Sequence, residues 1–274
     1  MNFKLLFPTF RNRFLFVRSR LKKYANFGTE TVKGLNLGTG EGDYDRMIAG
    51  YCTELIGCDV NEEDLQHARS LNAGLMNLSY ELNDALNLNY EDNSFDLIVS
   101  CEVIEHVGKP YKMVQEMHRV MKPGAVAIMT FPSREFPVTY DPVNRIWQLV
   151  KGDGSKEFAI SQGAYAFGHD YLIGSADFKK WASECGFELI EFRGLSRHLV
   201  GLLEMYWTGI AQSIFKKNAK NLTEDSKGGL KVRPSSTKDP ALAIITDLIL
   251  AIDQILFGWT NRSVGKGIVL KKPK

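Results

Sequence analysis

From residue 33 onward the chain alternates short apolar runs with polar-faced helical stretches. That alternation is the mark of βα units and a parallel sheet. The apolar runs predict strands at about 33–38, 53–58, 76–81, 95–101 and 125–131. Helical periodicity predicts helices at about 42–50, 61–71 and 110–121, with Lys122-Pro123-Gly124 as a stop before the fifth strand. Residues 132–173, rich in Gly, Pro, Asp and aromatics, read as a long functional loop. A helix near 175–185 and a strand near 187–193 resume the alternation, and residues 267–271 read as a last strand. The expected fold class is α/β: a doubly wound, mostly parallel seven-stranded sheet with an antiparallel last strand, and a helical insertion between the last two strands.

Both ends depart from this pattern. At the N-terminus Phe14, Val17, Leu21 and Tyr24 recur at helical spacing while Arg11, Arg18 and Lys22 take other faces, which predicts a basic amphipathic helix. Pro8 and the arginines interrupt any signal-peptide core. Such a helix either meets a membrane surface or packs on the domain. Residues 195–215 and 240–259 are strongly apolar and helical in pattern, separated by a polar stretch over 216–239. In the second of these, Asp247 and Gln254 share a stripe with Thr246 and Asp253 beside it. Two acids argue against a spanning helix and for a buried pair or a helix lying in a membrane interface. The expected division is 1–29, a basic N-terminal helix; 30–194, the core; 195–263, an apolar insertion; and 264–274, the final strand and basic tail.

Composition sharpens the class. With 274 residues, 44% of them hydrophobic, the chain can bury one large core, and disordered or low-complexity classes are excluded. Four cysteines without a CxxC pair indicate neither a zinc knuckle nor a disulfide framework, and fit a reducing, cytoplasmic setting. The net charge of +2 hides a split: residues 1–29 hold seven Lys/Arg and no acid, residues 30–213 hold 15 bases and 27 acids, and residues 214–274 hold 12 bases and five acids. Basic ends on an acidic middle point to an anionic partner, whether membrane surface, phosphorylated substrate or nucleic acid.

The first strand ends in Leu35-Asn36-Leu37-Gly38-Thr39-Gly40-Glu41-Gly42 and leads into a helix. Glycines at such a turn let the backbone approach a ligand closely, and the helix N-terminus offers it free N–H groups. Asp59 closes the second strand 21 residues after Gly38, where a carboxylate can accept both hydroxyls of an adenosine ribose. The Gly-x-Gly-x-Gly spacing resembles motif I of the class I S-adenosylmethionine (SAM)-dependent methyltransferases. The resemblance extends over residues 33–131 through Asn83-Asp84-Ala85, Phe95-Asp96-Leu97-Ile98-Val99 and Arg119-Val120-Met121-Lys122-Pro123-Gly124. It implies that Gly38, Gly40 and Gly42 line the methionine and ribose of SAM, that Asp59 holds the ribose hydroxyls, and that Asp84 and Ala85 meet the adenine. Thr39 and Cys101 complete the implied cofactor set. Asn36 stands where the family usually has an acid, which weakens the expected contact to the SAM amino group.

The fourth strand ends in Ser100-Cys101-Glu102-Val103-Ile104-Glu105-His106-Val107, at the sheet edge where open α/β folds place their sites. If a helical turn begins here, Glu102, Glu105 and His106 converge and could hold Mg²⁺ or another divalent metal that activates an acceptor hydroxyl. The segment resembles the ubiquinone-pathway O-methyltransferases and the small-RNA 2′-O-methyltransferases. The latter use Glu-x-x-Glu-His with a later histidine as metal ligands, which His169 matches. Without a metal, Glu102 and His106 remain the catalytic candidates, His106 as a base. Tyr140, Asp141, Asn144 and Arg145 either shape an acceptor pocket or satisfy their own loop, and His118 reads as solvated. The resemblance implies an O-methyltransferase acting on a hydrophobic or lipid-linked small-molecule acceptor, cytoplasmic or peripheral on the inner face of a membrane. The alternatives are an RNA 2′-O-methyltransferase and a catalytically silent SAM-binding protein docked on a membrane.

Overall fold

The computed structural model describes residues 2–25, 31–136, 172–203, 222–224, 230–232 and 236–274. Strands β1 (Lys33–Leu37), β2 (Glu54–Asp59), β3 (Leu78–Leu82), β4 (Phe95–Cys101) and β5 (Met121–Pro132) run parallel. After β6 (Glu188–Leu195) and a separate antiparallel pair, β7 (Leu222–Glu224) with β8 (Leu230–Val232), the last strand β9 (Gly265–Lys271) inserts antiparallel between β5 and β6. The sheet order is β3-β2-β1-β4-β5-β9-β6. The seven-stranded, mostly parallel sheet with its antiparallel last strand is the one expected.

Successive side chains of the central strands enter two different cores. In β5, Ala125, Ala127 and Met129 face one and Val126 and Ile128 the other; in β9, Ile268 and Leu270 oppose Val269. Burial on both faces explains why these strands read as continuous apolar runs. The first core is completed by α4 (Pro110–Val120) and α5 (Ser175–Glu184), the second by α1 (Pro8–Tyr24) and α2 (Asp45–Ala49). Helix α3 (Glu62–Leu71) starts where the Asn61 side chain accepts from the backbone N–H of Glu63 and Asp64, with three acids in its first turn.

Three local expectations change. Lys122-Pro123-Gly124 lies inside β5: Met121 already pairs with Phe95, and the register slips between Phe95 and Leu97, so the punctuation is a bulge. Helix α2 starts at Asp45, because the loop before it holds Gly42 at φ +81. His118 is half-buried, its ring edge-on to Phe187 at 4.9 Å, and burial holds its pKa below the ordinary value.

The N-terminal helix packs on the domain. Phe14, Phe16, Val17 and Leu21 are buried in the second core, and the Phe16 ring lies so close over Gly267 that a Cβ there would sit 2.7 Å from it. Its arginines turn inward as well: Arg11 bonds Asp239 and Asp247, Arg13 pairs with Glu102, and Arg20 pairs with Glu191. A last helix, α6 (Ala243–Phe257), rests on α1 and the 3₁₀ turn Phe3–Leu6. Thr246 donates to the Leu6 carbonyl at 3.1 Å, and Asp253 accepts from the backbone N–H of Arg197, Leu199 and Val200 at 2.7, 2.9 and 3.2 Å. Among the described residues no helix is long and apolar enough to cross a membrane. The helix expected over 195–215 is seen at 198–203; Leu195 still belongs to β6, and 204–215 lie outside the described residues.

If α1 is an integral part of the second core, Phe16→Ala should cost about 3 kcal/mol of stability. Chemical denaturation checks this, and a midpoint equal to that of the native chain would show α1 to be an appendage.

Candidate cofactor and acceptor site

The carboxyl ends of β1, β2 and β4 open onto a cavity of about 440 Å³, a volume within the usual range for small-molecule sites. Asn36, Gly38, Thr39, Gly40, Asp59, Asp84, Ala85, Cys101, Glu102 and His106 all line it. Of the residues expected at the cofactor, Gly42 alone is not among the lining. An added Cβ there would meet Asn72, Ala68 and Asp45, so Gly42 serves the packing of the loop against α3.

The loop over residues 38–42 sits on a buried polar network. Asn36 donates to Asp45 at 2.6 Å and to Thr39 at 3.0 Å, the Thr39 hydroxyl donates to Asp45, and Tyr80 donates to Asp45 at 2.7 Å. Burial raises the Asp45 pKa, and the Asn36, Thr39 and Tyr80 donors oppose that rise. The Asp45 carboxylate is thus consumed beneath the loop and does not reach the cavity, where Asn36 is the residue that lines the wall. Gly40 adopts φ +53, and a Cβ there would project into open space with no atom within 4 Å. Its N–H donates to Asp59 Oδ2 at 2.9 Å, while Asn61 N–H donates to Oδ1 at 3.0 Å. Loop and β2 carboxylate are therefore fixed as a unit.

On the opposite wall Glu102 adopts φ +57, accepts from the Thr130 hydroxyl at 3.0 Å and is ion-paired with Arg13. His106 is half-exposed and lines the same cavity. Glu105 is different: it is fully buried, and neither carboxyl oxygen has a hydrogen-bond partner among the described residues. Burial, aided by the charge of Glu102, pushes its pKa well above the usual carboxylate range. Of the expected ligand set, Glu105 approaches His106 Nε2 at 3.9 Å but does not line the cavity, and Glu102 is ion-paired with Arg13. No group of three His, Cys, Asp or Glu suited to a metal occurs among the described residues. His169 and the loop candidates Tyr140, Asp141, Asn144 and Arg145 lie outside them.

The N-terminal segment supplies part of the wall, which sequence reasoning missed. Lys4 and Phe10 join Arg13 in the lining; Lys4 bridges Glu41 and Asp43 at 2.7 and 2.6 Å, and Phe10 and Phe14 pack on Tyr44. The described lining holds six carboxylates, from Glu41, Asp43, Asp59, Asp64, Asp84 and Glu102, against the two cations of Lys4 and Arg13. The cavity suits a cationic ligand and repels a phosphodiester strand.

This topology, with a glycine loop after β1 and an acid closing β2, defines the Rossmann-like class of SAM-dependent methyltransferases. Residues 35–129 match the methyltransferase-domain family, and the chain carries that domain. It is 30% identical over 155 residues to norajmaline N-methyltransferase of Rauvolfia serpentina, covering 55% of this chain and 50% of that protein. It is 24% identical over 180 residues to the ubiquinone biosynthesis O-methyltransferase of Coxiella burnetii, covering 61% and 70%. The match thus spans only half of the first of these relatives. The structure superposes on phosphoethanolamine N-methyltransferase 2 of Haemonchus contortus in complex with SAM, with a TM-score of 0.57 at 15% identity, covering 94% of this chain and 52% of that one. At that identity the likeness is one of fold.

The buried Glu105 carboxyl yields a signed expectation. Its raised pKa means that stability is intact below the ordinary carboxylate range and is lost as pH rises toward the folded-state value. Glu105→Gln should match the native chain in stability at pH 4 and exceed it at pH 8 by at least about 1 kcal/mol. Equal stability at both pH values would show Glu105 to be charged and solvated.

Proposed function

We propose that the chain transfers the methyl group of SAM to an oxygen of a hydrophobic or lipid-linked small-molecule acceptor. The observation that carries this reading is the shared cavity: Gly38, Gly40, Asp59 and Asp84 on one wall, Glu102 and His106 on the other. The residues fit the cofactor. An open Gly40 face leaves room that a Cβ would fill, and the acidic lining complements a sulfonium and an ammonium. In this reading Gly38, Gly40 and Thr39 border the methionine and ribose, Asp59 accepts from the ribose hydroxyls, and Asp84 with Ala85 borders the adenine. When bound, SAM supplies the electrophilic methyl group. His106 takes the proton from the acceptor hydroxyl as its oxygen attacks. Glu102, fixed by Arg13 and Thr130, orients the acceptor. Phe10, Tyr44, Val103 and Val107 keep water from the reacting atoms, so the chain contributes alignment and desolvation. Homology to quinone O-methyltransferases supports the apolar acceptor, and such an acceptor supports peripheral attachment to a membrane. The division of the chain at 29, 194 and 263 belongs to the same proposal.

Gly40→Val should abolish SAM binding in calorimetry, because the added methyl groups occupy the open face, and should also lower the melting temperature, because a β-branched side chain is strained at φ +53. Asp59→Ala should weaken SAM by about 1.5 to 3 kcal/mol, the value of hydrogen bonds to a charged acceptor. Native affinity in either variant would move the cofactor elsewhere.

His106→Ala should lower kcat by roughly 10²- to 10⁴-fold at unchanged SAM affinity. Excess chelator should leave turnover of the native chain intact. Loss of turnover with recovery on added Mg²⁺ would instead return a divalent ion to the site, with His169 as its next ligand.

A further inference from the structure

Helix α6 is turned inside out. Its polar side chains face the protein: Thr246 and Asp253 are buried, Asp247 is held by Arg11, and Gln254 accepts from Arg197. Ala243 is buried and Phe257 packs on His198, but most of the helix's large apolar side chains face away. Leu242, Ile244, Leu248, Ile255, Leu256 and Trp259 are between 53% and 82% exposed. At ~100° per residue they cover about 160° of the circumference, and the inner arc holds Thr246, Asp247, Asp253 and Gln254 together with the apolar Ala243, Leu250 and Phe257. A contiguous apolar surface of this kind is rarely left to water.

Its borders are cationic. Lys238 before the helix and Arg262 after it are exposed. Along the flank formed by α1 lies a second cavity of about 590 Å³, whose described lining includes Arg18, Arg20, Lys22 and Arg193 and no carboxylate. Arg20 is paired with Glu191, and the charge of Arg18 acts on Asp247 at the α6 side of α1. Asp253 is buried, and the part-exposed Asp247 and Asp239 share Arg11, so they offset only part of this positive charge.

We propose that the outer face of α6 docks on an anionic lipid bilayer, with the helix lying in the interface plane and the basic cavity of α1 receiving headgroup phosphates. An apolar face with cationic borders complements an anionic interface. A second copy of the chain fits less well, because a two-fold pairing would set cationic border against cationic border, and the apolar arc is broader than a paired-helix seam. The surface exists whether or not methyl transfer occurs. It rests on the proposed function only for its use, which is to meet a lipid-linked acceptor where that acceptor resides.

Sedimentation of the full chain with phosphatidylcholine vesicles, with and without phosphatidylglycerol, tests this at low and high salt. The expected result is binding to the anionic vesicles that salt reverses, with at least about tenfold weaker binding to phosphatidylcholine alone. Leu248→Glu with Ile255→Glu should cut vesicle binding at least tenfold, as should the separate pair Arg18→Glu with Lys22→Glu on α1. All four substituted side chains are outside the cofactor cavity, so calorimetric SAM binding should be native in both variants. That readout separates failure of the docking surface from failure of the methyltransferase reading. The proposal is overturned if the native chain stays in the supernatant at low salt, or if both variants bind vesicles as the native chain does. It is equally overturned if the chain forms a dimer in ultracentrifugation that Leu248→Glu with Ile255→Glu dissociates, since the face then belongs to a second copy.

Discussion

A parallel sheet whose strands are apolar on both faces must be covered on both, and this requirement gives α1 its place. Helix α1 closes the second core over β5, β9 and β6, with Phe16 pressed onto Gly267. Once the helix is docked, its remaining side chains have fixed addresses. Arg11 reaches α6, and Arg13, two residues on, reaches Glu102 at the end of β4. The segment before it brings Lys4 to Glu41 and Asp43 on the glycine loop. One packing event therefore places the support of α6 and one wall of the site. Burial of Val17 and Leu21 alone contributes roughly 3 to 6 kcal/mol to it.

A second requirement acts beneath the glycine loop. A carboxylate as deeply buried as Asp45 is tolerated only when donors surround it, and Asn36, Thr39 and Tyr80 do so. The network ties β1, the loop, α2 and β3 together under the cavity floor. The loop is thereby shaped by its own protein contacts, and Gly40, with its N–H held by Asp59, presents an ordered backbone to a ligand. Preorganisation of this kind lowers the ordering cost of binding.

The sheet was legible in the sequence because burial on both faces writes itself as uninterrupted apolar runs, and because glycine and acid punctuation falls at the strand ends. The cavity wall proposed for the cofactor was legible for the same reason: Gly38, Gly40 and Asp59 are local signals at fixed spacing. What was not legible depends on contacts between distant residues. Nothing at Lys4, Phe10 or Arg13 marks them as site residues, since their role arises from where α1 docks some 90 positions away in sequence from Glu102. The hydrophobic pattern of α1 gave its helix but not the direction of Arg11, Arg13 and Arg20, which pair with acids on the domain while Arg18 stays exposed. The Asn36–Asp45 contact was hidden likewise, because the pair meets only after α2 turns back beneath the loop. Position 118 illustrates the converse: a histidine on a helix reads as solvated until Phe187 is brought against it.

The Glu-x-x-Glu-His segment shows why spacing alone does not assign chemistry. Glu102 leaves the strand with a positive φ that turns its carboxylate toward Arg13 and Thr130, so the chain does not enter a regular helix at that residue. The helical geometry that would have brought residues 102, 105 and 106 together is lost at its first member. Three residues later Glu105 is fully buried, 3.9 Å from His106 Nε2, and burial raises its pKa. Two carboxyl groups of one short motif thereby hold opposite environments, one ion-paired at the cavity and one buried behind it. Environments that divide in this way assign separate tasks to like residues. In the proposed reaction Glu102 is the residue placed to orient the acceptor, and His106, the half-exposed member of the motif, the one placed to exchange a proton with it.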